Sequence, residues 1–97
     1  MAEKATVARP YAKAAFAHAR DKNTLDAWSG WLGTARAVVV SDEFKAFESS
    51  PGVSKQQLKE LVANVCGDTI DANGRSLLDL LAENGRVGYL PEIAAHF

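Results

Sequence analysis

The sequence predicts an all-α fold, a compact six-helix bundle, and three observations carry that prediction. Apolar residues recur at helical spacing along nearly the whole chain. Capping residues and glycine or proline breakers punctuate the pattern at regular intervals. The connections are only about two to five residues long, which suits helices packed mostly against their neighbours in sequence. The one β-branched run, Val38-Val39-Val40, ends a segment whose periodicity is helical, so no strand is expected. Residues 1–97 are too few for a second core and are read as one domain.

Helix one is expected from about Thr6, taken as its cap, to Lys22, with Pro10 at the edge of the first turn where a missing N–H costs least. At about 100° per residue, Arg9, Lys13 and Arg20 form one narrow polar stripe. The rest of the cylinder, Val7 to Ala19, is apolar except for His18 and is wider than one core contact requires. Phe16, the bulkiest purely apolar side chain, is read as the inward anchor. Ala8, Ala12, Ala15 and Ala19 form a ridge of small residues beside it that admits a close helix. Val7, Tyr11 and Ala14, extended by His18, lie beyond that ridge as a second face. Tyrosine suits such a boundary, because its ring can be covered while its hydroxyl stays wet.

Asn23-Thr24 is the next turn, and Thr24 is expected to cap helix two. Trp28, Trp31, Leu32, Ala35, Val38 and Val39 then follow a strict amphipathic spacing. Gly30 and Gly33 within it either permit close approach of a neighbour or are simply tolerated. Ser41-Asp42-Glu43 opens a short third helix carrying Phe44 and Phe47, broken at Ser49-Ser50-Pro51-Gly52. Ser54 and Gln57 form a capping box for helix four, whose stripe is Leu58, Leu61, Val62 and Val65; Gly67 ends it as a left-handed cap. Asp71 opens helix five and Asn84-Gly85 stops it. Pro91, at a favoured first position, begins helix six, which has no terminating signal before Phe97. Helix six is therefore expected to be cut short and the chain to be one domain of a longer protein.

Composition excludes several functions. Hydrophobic residues are 47%, charged residues 24% and the formal net charge is −1, with no run of three basic residues. That balance argues against nucleic acid as a partner, and the Arg9–Lys13–Arg20 stripe reads as a solvated face. No apolar run approaches the roughly 18 residues of a membrane span, so direct membrane insertion is not expected. The start of the chain lacks the basic and apolar regions of a secretion signal. Cys66, alone, fits a reducing compartment and reads as a small buried hydrophobe at a helix end. There is no P-loop, His18 and His96 belong to no metal constellation, and His18 reads as a polar tip at an exposed helix end. The acidic residues at helix starts are explained by the macrodipole. No catalytic, cofactor or metal site is expected.

Helix five, like helix one, presents two rows. One is Gly74, Leu78, Leu81 and Gly85; the other is Asn73, Ser76, Leu77, Leu80 and Asn84, a mixture of leucine and small polar residues suited to an interface. If helices one and five are neighbours, their second rows border one apolar groove able to receive an amphipathic helix. Patterning alone leaves equally open that both rows are buried inside the bundle.

The blocks V-A-R-P-Y-A-K-A-A-F (Val7–Phe16) and A-E-N-G-R (Ala82–Arg86) resemble the delta-subunit family of bacterial F-type ATP synthases, whose mitochondrial counterpart is the oligomycin-sensitivity-conferring protein. Trp28, Val65-Cys66-Gly67 and Asp71-x-Asn73-Gly74 add to the likeness in one register. The resemblance implies a six-helix N-terminal domain of a non-enzymatic stator, peripheral on the cytoplasmic face of the bacterial inner membrane. It implies that an alpha-subunit N-terminal helix binds against helices one and five. Tyr11, Ala14, Ser76 and Leu80 would line that site, with Val7, Ala15, Asn73 and Leu77 as neighbours. The peripheral-stalk b subunits are engaged by a C-terminal region absent from these 97 residues. The domain is expected to be a monomer in isolation. A generic helical adaptor taking a different amphipathic helix is the rival reading.

Overall fold

The structure, a computed structural model, describes residues 2–97, with side chains from residue 4 onward. Six α-helices and two 3₁₀ turns make up the regular structure among the described residues: α1 (Ala2–Asp21), α2 (Leu25–Val39), α3 (Asp42–Glu48), α4 (Lys55–Cys66), α5 (Ala72–Glu83) and α6 (Leu90–His96). The all-α expectation holds.

Local chemistry sets most of the boundaries. α1 begins four residues before the expected Thr6 cap, so Pro10 lies inside the helix and not in its first turn. Ala, Glu and Lys are good helix formers, which extends the helix upstream. An interior proline costs about 3 kcal/mol; burial of Ala8 and Ala12 on either side of the ring offsets it. At the other end Asn23 adopts a positive φ of 57°. The Thr24 N–H reaches the Ala19 carbonyl at 2.8 Å and the Asn23 N–H reaches Arg20 at 3.2 Å, the paired bonds of a Schellman turn. Thr24 does not cap α2 with its side chain. Its hydroxyl instead donates back to the Ala19 carbonyl at 3.3 Å.

The remaining caps follow the sequence closely. Ser41 accepts from the Phe44 N–H. Ser54 and Gln57 close a reciprocal capping box at 2.8 and 3.1 Å. Asp71 accepts from the Gly74 N–H at 2.7 Å. Gly67 has the expected positive φ of 57°, but its ψ of −131° turns the chain into a 3₁₀ turn at Gly67–Thr69, not a left-handed cap. A second 3₁₀ turn, Val87–Tyr89, leads into α6, where Pro91 occupies the first turn.

α6 packs along both α1 and α2, while α4 packs on α5 and α2. The side of α1 that faces α6 is the alanine ridge: Ala8, Ala12, Ala15 and Ala19 are all buried. Bulk comes from the other helices, through Trp31, Leu32, Leu78, Leu81, Leu90 and Ile93. Phe16 is consequently not the core anchor. It is 37% exposed and meets the Phe97 ring edge-on at 5.5 Å. On the helical wheel it lies about 20° from Arg9, beside the polar stripe, and a ring on the ridge would hold α6 too far away.

Gly30 and Gly33 have no neighbour within 4 Å of where a Cβ would stand, so they are tolerated glycines on an exposed face. The close approach occurs at Gly74. A Cβ there would lie 2.6 Å from Ile70 Cγ1 and 3.1 Å from Trp31 Cε2. Cys66 is buried, as expected, and its thiol points at the Trp31 carbonyl at 3.6 Å. Burial pushes the thiol's pKa up, with Arg75 opposing the shift.

Three measurements check this packing. Ala12→Asp or Ala8→Asp buries an unpaired charge and is expected to destabilise the fold by about 3 kcal/mol or more in urea denaturation. Gly74→Ala adds helix propensity yet is expected to cost about 1–3 kcal/mol, because Ile70 and Trp31 must move. Because folding raises the Cys66 pKa, the thiol's contribution is complete below the unfolded value of about 8.5 and declines as pH rises above it. Stability measured from pH 7 to pH 10 is expected to fall more steeply in the native chain than in Cys66→Ala.

Candidate functional site

The second face of α1 is only partly covered: Ala14 is exposed, while His18 packs on Trp28 of α2. That face stands across from α5, and the space between them is an apolar groove of about 440 Å³. Pro10, Tyr11, Ala14, Ala15 and His18 form one wall, and Asn73, Leu77 and Leu80 form the other, with Trp28 of α2 between them. Spacing explains the α5 wall: Asn73, Leu77 and Leu80 fall within about 60° on the wheel. Ala14 and Leu80 are exposed at the lip, Leu80 by 46%, whereas Ala15 and Trp28 are buried at the base.

Six of the eight residues singled out from the sequence thus meet in one groove: Tyr11, Ala14, Ala15, Asn73, Leu77 and Leu80. Val7 is half-buried and lies upstream, since the α1 wall starts only at Pro10. Ser76 is exposed on the outer shoulder of α5, its hydroxyl donating to the Ala72 carbonyl at 3.1 Å. Pro10, Trp28 and His18 were not among the eight. Trp28 reads from sequence as a core position, and no periodicity on α1 reveals that a residue of α2 forms the base. His18 is half-buried, not an exposed tip, and packs edge-on against Trp28 at 5.5 Å.

The base belongs to an aromatic cluster. Trp28 contacts Trp31 at 5.2 Å and lies nearly parallel to Phe97 at 6.4 Å. Both indole Nε1 atoms are buried with no hydrogen-bond partner among the described residues. These rings therefore act by packing alone, against a desolvation cost of about 1–3 kcal/mol per unpaired donor.

A contact between Arg86 and Tyr11 ties the chain just after α5 to α1. α5 ends in a Schellman turn at Gly85, φ 67°, with the Arg86 N–H bonded to the Leu81 carbonyl at 2.7 Å. That turn sends the Arg86 side chain toward α1, where its guanidinium donates to the Tyr11 hydroxyl at 2.8 Å and lies 5.9 Å from the Tyr11 ring centre. Two blocks 75 residues apart in sequence are joined by this bond.

The family model for the ATP synthase delta (OSCP) subunit matches residues 7–97. The chain belongs to this family. It is 46% identical to ATP synthase subunit delta of Alkalilimnicola ehrlichii over 96 residues, covering 98% of this chain and 54% of that protein. The subunit delta of Methylobacillus flagellatus is 42% identical over 97 residues, and that of Thioalkalivibrio sulfidiphilus 46% over 95; they cover 100% and 98% of this chain and 54% and 53% of those proteins. The chain thus spans about half the length of the curated relatives it matches. The Arg86–Tyr11 bond connects Val7–Phe16 and Ala82–Arg86, two blocks that both lie within the matched residues. Among the described residues no cluster of His, Cys, Asp and Glu is placed to hold a metal ion, and no helix is long and apolar enough to cross a membrane.

A double-mutant cycle checks the tether. Tyr11→Phe is expected to cost about 1 kcal/mol of folding stability, and the same change made in an Arg86→Gln background is expected to cost measurably less.

Proposed function

We propose that this domain docks the delta subunit on the catalytic head of an F-type ATP synthase by taking an alpha-subunit N-terminal helix into the α1–α5 groove. The observation that carries the reading is the groove itself: an open, mostly apolar trough between α1 and α5, in a chain of the delta family. From Pro10 to His18 its α1 wall runs for about 12 Å, which a helix of two or three turns covers. Anchors at i, i+3, i+4 and i+7 would then reach Ala14, Leu77, Leu80 and the base at Trp28.

The role is mechanical, not catalytic. The head must be held still while the rotor turns, and a helix buried along an apolar groove resists displacement better than exposed ion pairs, which are individually worth little. The domain works at the cytoplasmic face of the inner membrane through the complex it joins, is a monomer on its own, and has no nucleotide or metal chemistry. Attachment to b subunits is assigned to none of these 97 residues.

Titration with an alpha-subunit N-terminal peptide, followed by Trp28 fluorescence, is expected to give saturable binding. Ala14→Asp places a charge on the lip without entering the core. It is expected to weaken that binding at least tenfold and to shift the unfolding midpoint by no more than a few degrees. Unchanged affinity, or no saturable binding by the folded domain, would overturn the proposal.

A further inference from the structure

The groove lining is mostly apolar, with Tyr11, His18 and Asn73 as its polar members. His18 is half-buried in the α1 wall, its ring edge-on to Trp28 at 5.5 Å. Of the nine lining residues only His18 and Tyr11 titrate, and Tyr11 is seven residues away, about 10 Å along the helix. A histidine is the one side chain whose ordinary titration falls between pH 5 and 8. An imidazole covered by an apolar side chain resists protonation, because the cation loses its hydration.

We infer that His18 makes occupation of the groove pH-dependent: the docked helix covers it with an apolar side chain, so protonation of His18 and docking exclude one another. This rests on the docking role proposed above and adds what that role does not contain, a proton-linked affinity and a demand on the occupant. The part of the bound helix that reaches Trp28 and His18 must be apolar, because a carboxylate there would reverse the effect.

The charged groups around His18 do not replace that control. On α1, Arg20 pairs with Asp21 at 3.5 Å, both exposed, and Lys22 is exposed. On α2, Asp26 is exposed in the first turn. On α6, His96 lines a separate depression with Arg9 and Lys13. On α5, Asp79 is held by Lys59 at 2.7 Å and Arg75 donates to the Gly67 carbonyl at 3.2 Å; neither lines the groove. Water and salt screen the exposed groups.

The test is calorimetric titration of the 97-residue domain with the alpha-subunit N-terminal peptide at pH 8.0, 7.0, 6.0 and 5.5, for the native chain and for His18→Gln. The native dissociation constant is expected to rise at least about threefold as the pH is lowered from 8.0 to 5.5. In buffers of different ionisation enthalpy near pH 6, binding is expected to release a proton. His18→Gln, compared with its own affinity at pH 8.0, should lose most of the pH dependence, its circular dichroism unchanged. The variant cancels any titration contributed by the peptide itself. Parallel pH curves for the two proteins, or tighter native binding at low pH, would overturn the inference while leaving docking intact. Absence of binding at pH 8.0 would instead overturn the docking role and this inference with it.

Discussion

The close seating of α6 on the alanine ridge of α1 is the constraint from which the rest of the architecture follows. Ala8, Ala12, Ala15 and Ala19 contribute almost no volume, so α6 can approach α1 while also packing on α2. That contact fixes the rotation of α1 about its axis. With the ridge inward, Tyr11, Ala14 and His18 are turned toward α5, and Phe16 is turned out beside Arg9 and Lys13. A larger residue on the ridge would separate α1 from α6, and the groove wall would lose the support behind it.

The groove persists as open space because its two walls are held by different partners. α1 is secured from behind by α6, and α5 is secured by α4, through apolar packing and the Lys59–Asp79 pair. Between them Trp28 supplies a rigid base, braced by Trp31 and Phe97. The Arg86–Tyr11 bond ties the chain just after α5 to α1. A site built on three helices and a turn needs little rearrangement to accept a helix, which limits the entropy lost on docking. The same layout leaves Ala14 and Leu80 exposed, an arrangement that hydrophobic burial alone would not favour.

Sequence reading and structure diverge at three instructive positions. Phe16 misleads because size is a poor guide to burial when the partner helix already supplies the bulk; its angular proximity to Arg9 was the better signal. For Gly30 and Gly33 the pattern leaves close contact and simple tolerance open; the structure shows tolerance, and Gly74 is the one against which side chains press. A helix's own pattern does not say which of its glycines meets a neighbour. Val7 shares the angular sector of the groove residues but lies upstream of the stretch of α1 that lines it, whereas Ser76 lies within the lining stretch of α5 but about 40° outside the sector.

What the sequence determined by itself is local. Helical periodicity, the Ser41, Ser54 and Asp71 caps, and the stops at Asn23 and Gly85 follow from contacts within a few residues, so they can be read without knowing the fold. The presence of two apolar faces on α1 and α5 is legible for the same reason. Only the tertiary structure decided which face is inward, that a tryptophan from α2 closes the groove, and that Arg86 reaches Tyr11. Each of these depends on the distance and rotation between helices. Those are set by side-chain volumes contributed from several elements at once, and no single helix carries that information.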